Sequence, residues 1–316
     1  MKIESSESRN DSRIIYLDLL RVVCTFAVIV LHTSGYAWSV LPYSDPLWNY
    51  ANLYDGFFRF SVPIFVMISG VFMLSDQTEL DLKKLYCQKI LRLVKLFLVY
   101  STVYAIVTNI IYSDTFHLSL FVEQVVRGHY HLWYLYAIIG LYMITPLIKE
   151  ITKSSRLTKY FLILAFIFEI LIGTASAVFK TIDFNMIFAK SYLFFVKGFT
   201  IYYVLGYFAY HNSINKRNIL YLLGILSTIG TIAGTKLYSA YIGENSAVFY
   251  SFLSLNVFFQ SWAIFVFFKE VISKIKFSPR AKDFIRALSK YSLGIYLIHD
   301  LFLILLSRVN INCLSF

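Results

Sequence analysis

The chain contains few charged residues and few cysteines. Only 15% of its 316 residues are charged, compared with about 25% in soluble globular domains, and 58% are hydrophobic. This composition excludes a water-soluble globular protein and predicts an integral membrane protein. The three cysteines, Cys24, Cys87 and Cys313, are scattered and odd in number, so they indicate neither a disulfide framework nor a zinc site.

Long apolar runs follow a short polar start. The first residues, MKIESSESRNDS, do not resemble a cleavable signal peptide. About 20 apolar residues cross a bilayer as a helix, and nine such runs lie at approximately 14–38, 54–74, 91–112, 131–148, 159–179, 191–210, 218–238, 248–268 and 287–307. We therefore expect an all-α fold, a polytopic membrane helical bundle of about nine transmembrane helices. The expected domains are a cytosolic tail at 1–13, a membrane domain at 14–309 and a short tail at 310–316.

Lysine and arginine are concentrated in every second connection between these runs. The N-terminal tail, residues 83–95 and residues 269–290 are rich in them, whereas the connections on the other side have none, one or two. This alternation follows the positive-inside rule and predicts a cytosolic N-terminus. It also accounts for the net charge of +11, so no nucleic-acid partner is expected.

Several ionisable residues lie inside the apolar runs, where they are costly and mark functional sites by default. They are Asp18, Arg21, His32, Arg59, Glu169, Lys197, His299 and Asp300. Snorkelling to the membrane surface or structural pairing is the alternative. That alternative stays open for Arg59 and Lys197, and Glu169 fits a structural hydrogen bond as well as a functional role.

The first run carries three polar side chains on one predicted helix face. Arg21 and His32 are eleven residues apart, which corresponds to a rise of about 16 Å and to three turns plus about 20°. Asp18 lies three residues before Arg21 and can pair with it. The run therefore combines a fixed cation near its cytosolic end with a titratable imidazole farther out. An Asp18–Arg21 pair with a purely structural role would leave His32 unexplained.

Basic and aromatic residues mark the ends of other runs. Lys89 and Arg92 lie on one face at the start of the third run and could form a cationic mouth with Arg21 for a phosphorylated cofactor. Ordinary anchoring at the cytosolic side is the alternative. Trp133 and Tyr134 fit an aromatic belt at the outer boundary.

Histidines occur at two further places. His129 and His131 lie just before the fourth run, and no third ligand type accompanies them in the sequence, so no metal site is predicted. His299 and Asp300 fall near the middle of the last run. They could complete a polar core with His32.

Four segments, in this order, resemble acyltransferase family 3, the multi-spanning membrane acyltransferases that modify bacterial cell-surface glycans. The first has the family's Arg-(ten residues)-His pattern at Arg21 and His32; the others are VPIFVMISG, HLWYLY followed by LYMITPL, and SLGIYLIHD. Lys89 stands where the family commonly has the first arginine of an Arg-x-x-Arg pair, which keeps the charge but not the bidentate fork. Family members usually have a further span after the late histidine segment, whereas this sequence ends at Phe316.

The resemblance implies transfer of an acyl group, usually acetyl, from cytosolic acetyl-CoA to a hydroxyl of a surface or lipid-linked polysaccharide, at the bacterial plasma membrane. Arg21, Lys89 and Arg92 would then bind the cofactor phosphates. His32 would act as general base or carry the acetyl group itself, and Asp18 would orient Arg21. Substrate contacts are expected from Trp133, Tyr134, Glu169 and His299. No metal cofactor is expected.

Three alternatives stay open. A polysaccharide exporter or acyl-glycan transporter without transferase activity would also need ionisable residues within the membrane. A membrane sensor or unit acting with a separate catalytic partner is the second, and an inactive truncated family member is the third. Exchange of labelled acetyl from acetyl-CoA separates a transferase from a pure exporter, which shows none.

Overall fold

The computed structural model describes residues 4–75, 80–112, 117–179 and 194–309, and no β-strand occurs among them. Within these ranges the fold is an all-α bundle. Its helices of seven or more residues are α1 (Glu4–Val40), α2 (Pro46–Phe58), α3 (Ser61–Leu74), α4 (Leu91–Tyr112), α5 (Leu118–Arg127), α6 (Trp133–Thr152), α7 (Ser155–Ala165), α8 (Ile172–Val178), α9 (Thr200–His211), α10 (Arg217–Ile242), α11 (Leu255–Glu270) and α12 (Pro279–Arg308). Shorter helical segments are Leu82–Lys84, the π-helical Leu85–Ile90 and Phe166–Leu171, and the 3-10 turns Tyr130–Leu132, Phe194–Val196, Val248–Tyr250 and Ile272–Lys274.

In the described part of the chain, eight helical stretches are long and apolar enough to cross a membrane. They are Ile15–Val40, Pro46–Leu74, Leu82–Ile111, Leu118–Thr152, Ser155–Val178, Arg217–Ile242, Val248–Lys274 and Pro279–Arg308. They coincide with eight of the nine predicted runs, and the protein is a multi-pass membrane protein. The remaining run, 191–210, is represented by the shorter helix α9, and its first three residues lie outside the described ranges.

The ends of some helices differ from the predicted runs. Helix α1 begins at Glu4, so residues expected in a polar tail continue the first span. The second run, predicted as one span, consists of α2 and α3 with a break at Arg59 and Phe60. Pro63 explains the break, because proline has no N–H to donate to the carbonyl of Arg59 four residues earlier.

The first and last helices are parallel neighbours. Ser289 donates a hydrogen bond to Asp18 Oδ1 at 2.7 Å, and farther along both helices His299 Nε2 lies 3.1 Å from His32 Nδ1. Both contacts advance in the chain direction on α1 and on α12. First and last spans that point the same way imply an odd number of crossings, whereas the described residues contain eight stretches of membrane-spanning length.

Helix α9 follows α8 and precedes α10 in the chain, and its 12 residues are fewer than the roughly 20 that span a bilayer as a helix. Phe199, just before α9, packs against Trp133 with ring centroids 5.4 Å apart. At the other end, His211 Nε2 lies 2.9 Å from Ser75 Oγ, directly after α3. The 12 residues of α9 thus run from a position beside Trp133 to a position beside Ser75.

Helices α3 and α9 form the buried centre of the bundle. Helix α3 is apolar on all sides, and α9 is buried along most of its length, as a helix surrounded by other helices must be. A Cβ atom at Gly70 would lie 1.9 Å from the Tyr203 carbonyl oxygen, and one at Gly206 would lie 2.1 Å from that of Met67. The two glycines therefore allow the backbones to touch, as small residues do between membrane helices.

Candidate active site

Two cavities adjoin inside the bundle. The smaller one, the Arg21 cavity, has a volume of about 150 Å³, and Arg21 forms part of its wall. The larger one, the His32 cavity, has a volume of about 440 Å³ and is lined in part by His32. The side chains that line both are Val28, Val62, Tyr134 and Tyr296. Arg21 and His32, which share a face of α1, therefore line two adjoining spaces.

The hydrogen bonds of His32 fix one tautomer. Its Nδ1 lies 3.1 Å from the Tyr130 hydroxyl and 3.1 Å from His299 Nε2. Tyr130 donates its only proton to Asp300 Oδ1 at 2.6 Å. The neutral His299 ring donates its Nδ1 proton to the Tyr296 carbonyl at 2.6 Å, so its Nε2 is an acceptor. Both neighbours of His32 Nδ1 thus offer lone pairs, and the network assigns the proton to Nδ1 and the free lone pair to Nε2.

The turn of α12 that carries His299 and Asp300 is held by Tyr104 of α4. The Tyr104 hydroxyl donates to the Leu297 carbonyl at 3.0 Å and accepts from the Leu301 N–H at 3.0 Å. It is inserted between two backbone groups that a regular helix joins directly. His299 and Asp300 are both buried, so the inserted hydroxyl supports this turn from the side of α4.

Arg21 is held at the other end of the two cavities. Its Nη1 donates to Ser289 Oγ at 3.1 Å and lies 3.4 Å from Asp18 Oδ1. The guanidinium also lies over the Phe72 ring, 5.4 Å from its centroid. Asp18 and Arg21 thus pair as their spacing predicts, and Ser289 of α12 is a partner that the spacing did not reveal.

The other predicted cations lie near the same end of α3. Lys89 Nζ is 3.1 Å from Met73 Sδ, and Met73 follows the phenylalanine that Arg21 covers. Lys89 and Arg92 are exposed, and Leu93, next to Arg92, lines the Arg21 cavity. Exposed positive charge therefore lies near the end of the bundle where the Arg21 cavity lies.

Aromatic rings and an ion pair line the opposite side of the His32 cavity. Trp133 stacks on Phe252 with centroids 5.9 Å apart, and Tyr134 lies where the two cavities meet. Arg59 forms an ion pair with the buried Asp55 and lies over the Tyr250 ring, 4.3 Å from its centroid. Arg59 is thus paired within the protein, which is one form of the structural alternative that the sequence left open, and it also lines the His32 cavity.

Glu169 lies elsewhere. The sequence grouped it with His299 as an aid to His32, but it lines a separate pocket of about 180 Å³ together with Lys197. Its carboxylate is hydrogen-bonded to the backbone of Gly198. Of the two residues proposed to assist His32, the structure brings only His299 to it.

The expectation that His129 and His131 have no third ligand type nearby is wrong. Asp300 Oδ2 lies 3.3 Å from His129 Nδ1 and 3.9 Å from His131 Nδ1. The sequence did not reveal this group because Asp300 follows the two histidines by more than half the length of the chain. Tyr130 was missed as well, although its position between two histidines in GHYHLW was a signal.

The comparison with known families agrees with the four quoted segments. The model of acyltransferase family 3, described as an acyltransferase domain, matches residues 14–312, nearly the whole chain. No curated protein and no solved structure matches the chain. A match of this extent covers every helix that lines the two cavities. The chain belongs to acyltransferase family 3 and is a membrane acyltransferase.

Proposed function

We propose that this protein transfers an acetyl group from cytosolic acetyl-CoA to a hydroxyl of a surface or lipid-linked polysaccharide, in the plasma membrane of a bacterium. The observation that carries the proposal is the set of hydrogen-bond contacts of His32 Nδ1, from which we infer the tautomer of the ring. Its Nε2 has a free lone pair, and the ring lines a cavity of about 440 Å³. A general base needs such a lone pair within reach of the proton that it removes.

Three cations support the donor side. Arg21, Lys89 and Arg92 lie near the end of the bundle at the Arg21 cavity, and arginine and lysine are the usual partners of phosphate. Lys89 and Arg92 are exposed, so the phosphates of CoA can reach them from the cytosol. The pantetheine arm would follow the Arg21 cavity towards His32, over the rise of about 16 Å that separates Arg21 from His32 on α1. In this arrangement the Arg21 end of α1, and with it the N-terminus of the chain, lies on the cytosolic side.

The lining of the His32 cavity supports a sugar as the acceptor. Trp133 and Tyr134 provide aromatic surfaces with polar edges. Arg59 and Asp55 add charged hydrogen-bonding groups that balance each other. A neutral, hydroxyl-rich ligand fits such a wall, because it needs hydrogen bonds and apolar contact but no net opposite charge.

The reaction then follows from the position of one proton. His32 Nε2 accepts the proton of the acceptor hydroxyl while the hydroxyl oxygen attacks the thioester carbonyl. The new C–O bond forms, the C–S bond breaks, and His32 returns the proton to the CoA thiolate. His299 and Tyr130 stabilise the Nδ1–H of His32 throughout. In the covalent variant, His32 Nε2 attacks the thioester, the C–S bond breaks, and CoA leaves as the thiolate. The acceptor oxygen then takes the acetyl group from the acetyl-imidazolium, and the hydroxyl proton goes to the thiolate.

Glycan O-acetylation in cells tests the proposal. Cells would carry wild-type protein, His32→Ala or the control His117→Ala, an exposed histidine at the start of α5, all at equal expression. General acid–base catalysis typically contributes about 10²- to 10⁴-fold, so we expect at least a hundredfold loss of acetyl transfer for His32→Ala only. Equal acetylation by all three proteins would refute the role of His32.

The adjoining cavities also fit a second function, the export of an acylated glycan. Two adjoining spaces inside a bundle could serve translocation as well as transfer. Purified protein in lipid nanodiscs with acetyl-CoA labelled in its acetyl group separates the two functions. A transferase labels an added glycan acceptor, whereas a pure exporter leaves all of the label on CoA or in free acetate.

A further inference from the structure

His129, His131 and Asp300 form a triangle of ligand atoms that acyl transfer does not use. The Nδ1 atoms of the two histidines are 3.0 Å apart. Asp300 Oδ2 lies 3.3 Å from the first and 3.9 Å from the second. The circle through the three atoms has a radius of about 2.0 Å, so its centre lies about 2.0 Å from each of them. Zinc–nitrogen and zinc–oxygen bonds are about 2.0–2.2 Å long, so an ion at this point would be at bonding distance from all three atoms.

Burial makes this triangle costly without a cation. His131 is 1% exposed and Asp300 is 4% exposed. Asp300 Oδ1 accepts from Tyr130, but Oδ2 makes no hydrogen bond to any residue that the structure describes. A buried carboxylate oxygen without a donor is destabilising. The two facing imidazole nitrogens, which lie within hydrogen-bond distance of each other, converge with this oxygen on one point, and with both Nδ1 atoms unprotonated all three would present lone pairs to an ion there.

We propose that His129, His131 and Asp300 bind a divalent transition-metal ion, with zinc as the favoured ion. Two imidazoles and one carboxylate are ligands that zinc takes at sites with an open fourth position. His131 lines the His32 cavity, which provides an entry path and space for a water molecule as fourth ligand. Binding of the ion does not depend on the proposed function.

A second group with the same carboxylate is less suitable. His32 and His299 also have a ring nitrogen near Asp300. Their facing nitrogens share a hydrogen bond of 3.1 Å, as those of His129 and His131 do at 3.0 Å, but the proton of the first bond is assigned to His32 Nδ1, which would have to lose it to bind an ion. An ion on His129 and His131 leaves that bond intact, and it fixes Asp300 and hence the Tyr130 hydroxyl that contacts His32.

Zinc content of the purified full-length protein, without a histidine tag, tests the site. The protein would be treated with a chelator, incubated with zinc chloride, desalted and measured by mass spectrometry for metals. We expect one zinc per chain for wild type and for the control His117→Ala. We expect at least tenfold weaker binding for His129→Ala, His131→Ala and Asp300→Asn. Circular dichroism and gel filtration identify variants that fold, and Asp300→Asn keeps the shape of the side chain if a histidine variant does not fold.

Three results would overturn the proposal. They are a folded wild type that retains no zinc, folded variants of the triangle that retain as much zinc as wild type, and loss of zinc from His299→Asn with retention in His129→Ala. The last result would assign the ion to the other group. Because none of these readouts involves acetyl transfer, failure of the metal site and failure of the proposed function are distinguishable.

Discussion

The Tyr130 hydroxyl offers a sharp test of how His32 is positioned. Tyr130→Phe removes one oxygen, which accepts from His32 Nδ1 and donates to Asp300 Oδ1. Because 60% of the Tyr130 surface is exposed, its loss changes little packing. A hydrogen bond to a charged group contributes about 1.5–3 kcal/mol, and the exposure favours the lower end. About 1.5 kcal/mol in the transition state corresponds to about a tenfold lower kcat.

Steady-state acetyl transfer by purified protein in nanodiscs measures this effect. The control is Tyr241→Phe, because Tyr241 is 85% exposed and lies on α10, away from both cavities. We expect kcat to fall for Tyr130→Phe and to stay unchanged for Tyr241→Phe. A Tyr130→Phe protein with kcat within twofold of wild type would show that the Asp300–Tyr130–His32 chain does not position the base.

Substitutions at packing, donor and remote positions should separate stability from function. Gly206→Ala should destabilise the protein by about 1–3 kcal/mol or more, because the added Cβ meets backbone atoms of Met67. The control Gly294→Ala, whose Cβ meets nothing within 4 Å, should have the melting temperature of wild type. Equal melting temperatures for the two variants would contradict the packing argument. Ser289→Ala should raise the KM for acetyl-CoA about fivefold, since Arg21 loses a hydrogen bond worth about 1 kcal/mol; a lower kcat at unchanged KM would speak against this. Glu169→Gln should keep kcat/KM within twofold of wild type, and a tenfold loss would place Glu169 back in the reaction.

The bundle was predictable because a bilayer leaves the chain few choices. Backbone polar groups in lipid must be satisfied within the segment, so an apolar run of about 20 residues becomes a helix. Helical phase then determines which side chains share a face. Arg21 and His32 illustrate this, since their separation alone predicts a common face and the structure places both on cavity walls.

The partners of these residues were not predictable in the same way. Ser289, Tyr130 and Asp300 reach α1 only because α12 and the turn before α6 pack beside it, and such contacts leave no periodic signal in the chain. The Tyr104 hydroxyl inserted into α12 is a further example. Which helices are neighbours depends on how side chains of distant segments fit, and a single sequence does not encode that fit in a readable pattern.

The side chains shared by the two cavities have a consequence for the membrane itself. Val28 and Val62 are aliphatic, and Tyr134 and Tyr296 contribute rings at the same junction. A hydrated ion that passed from one cavity to the other would have to lose part of its hydration shell between these four side chains, which is costly in an apolar surrounding. The neutral acyl group of the proposed thioester donor would not meet that barrier. Under the proposed function, an acyl group would thus pass this junction while the passage of ions, and with it the loss of electrical insulation, is opposed.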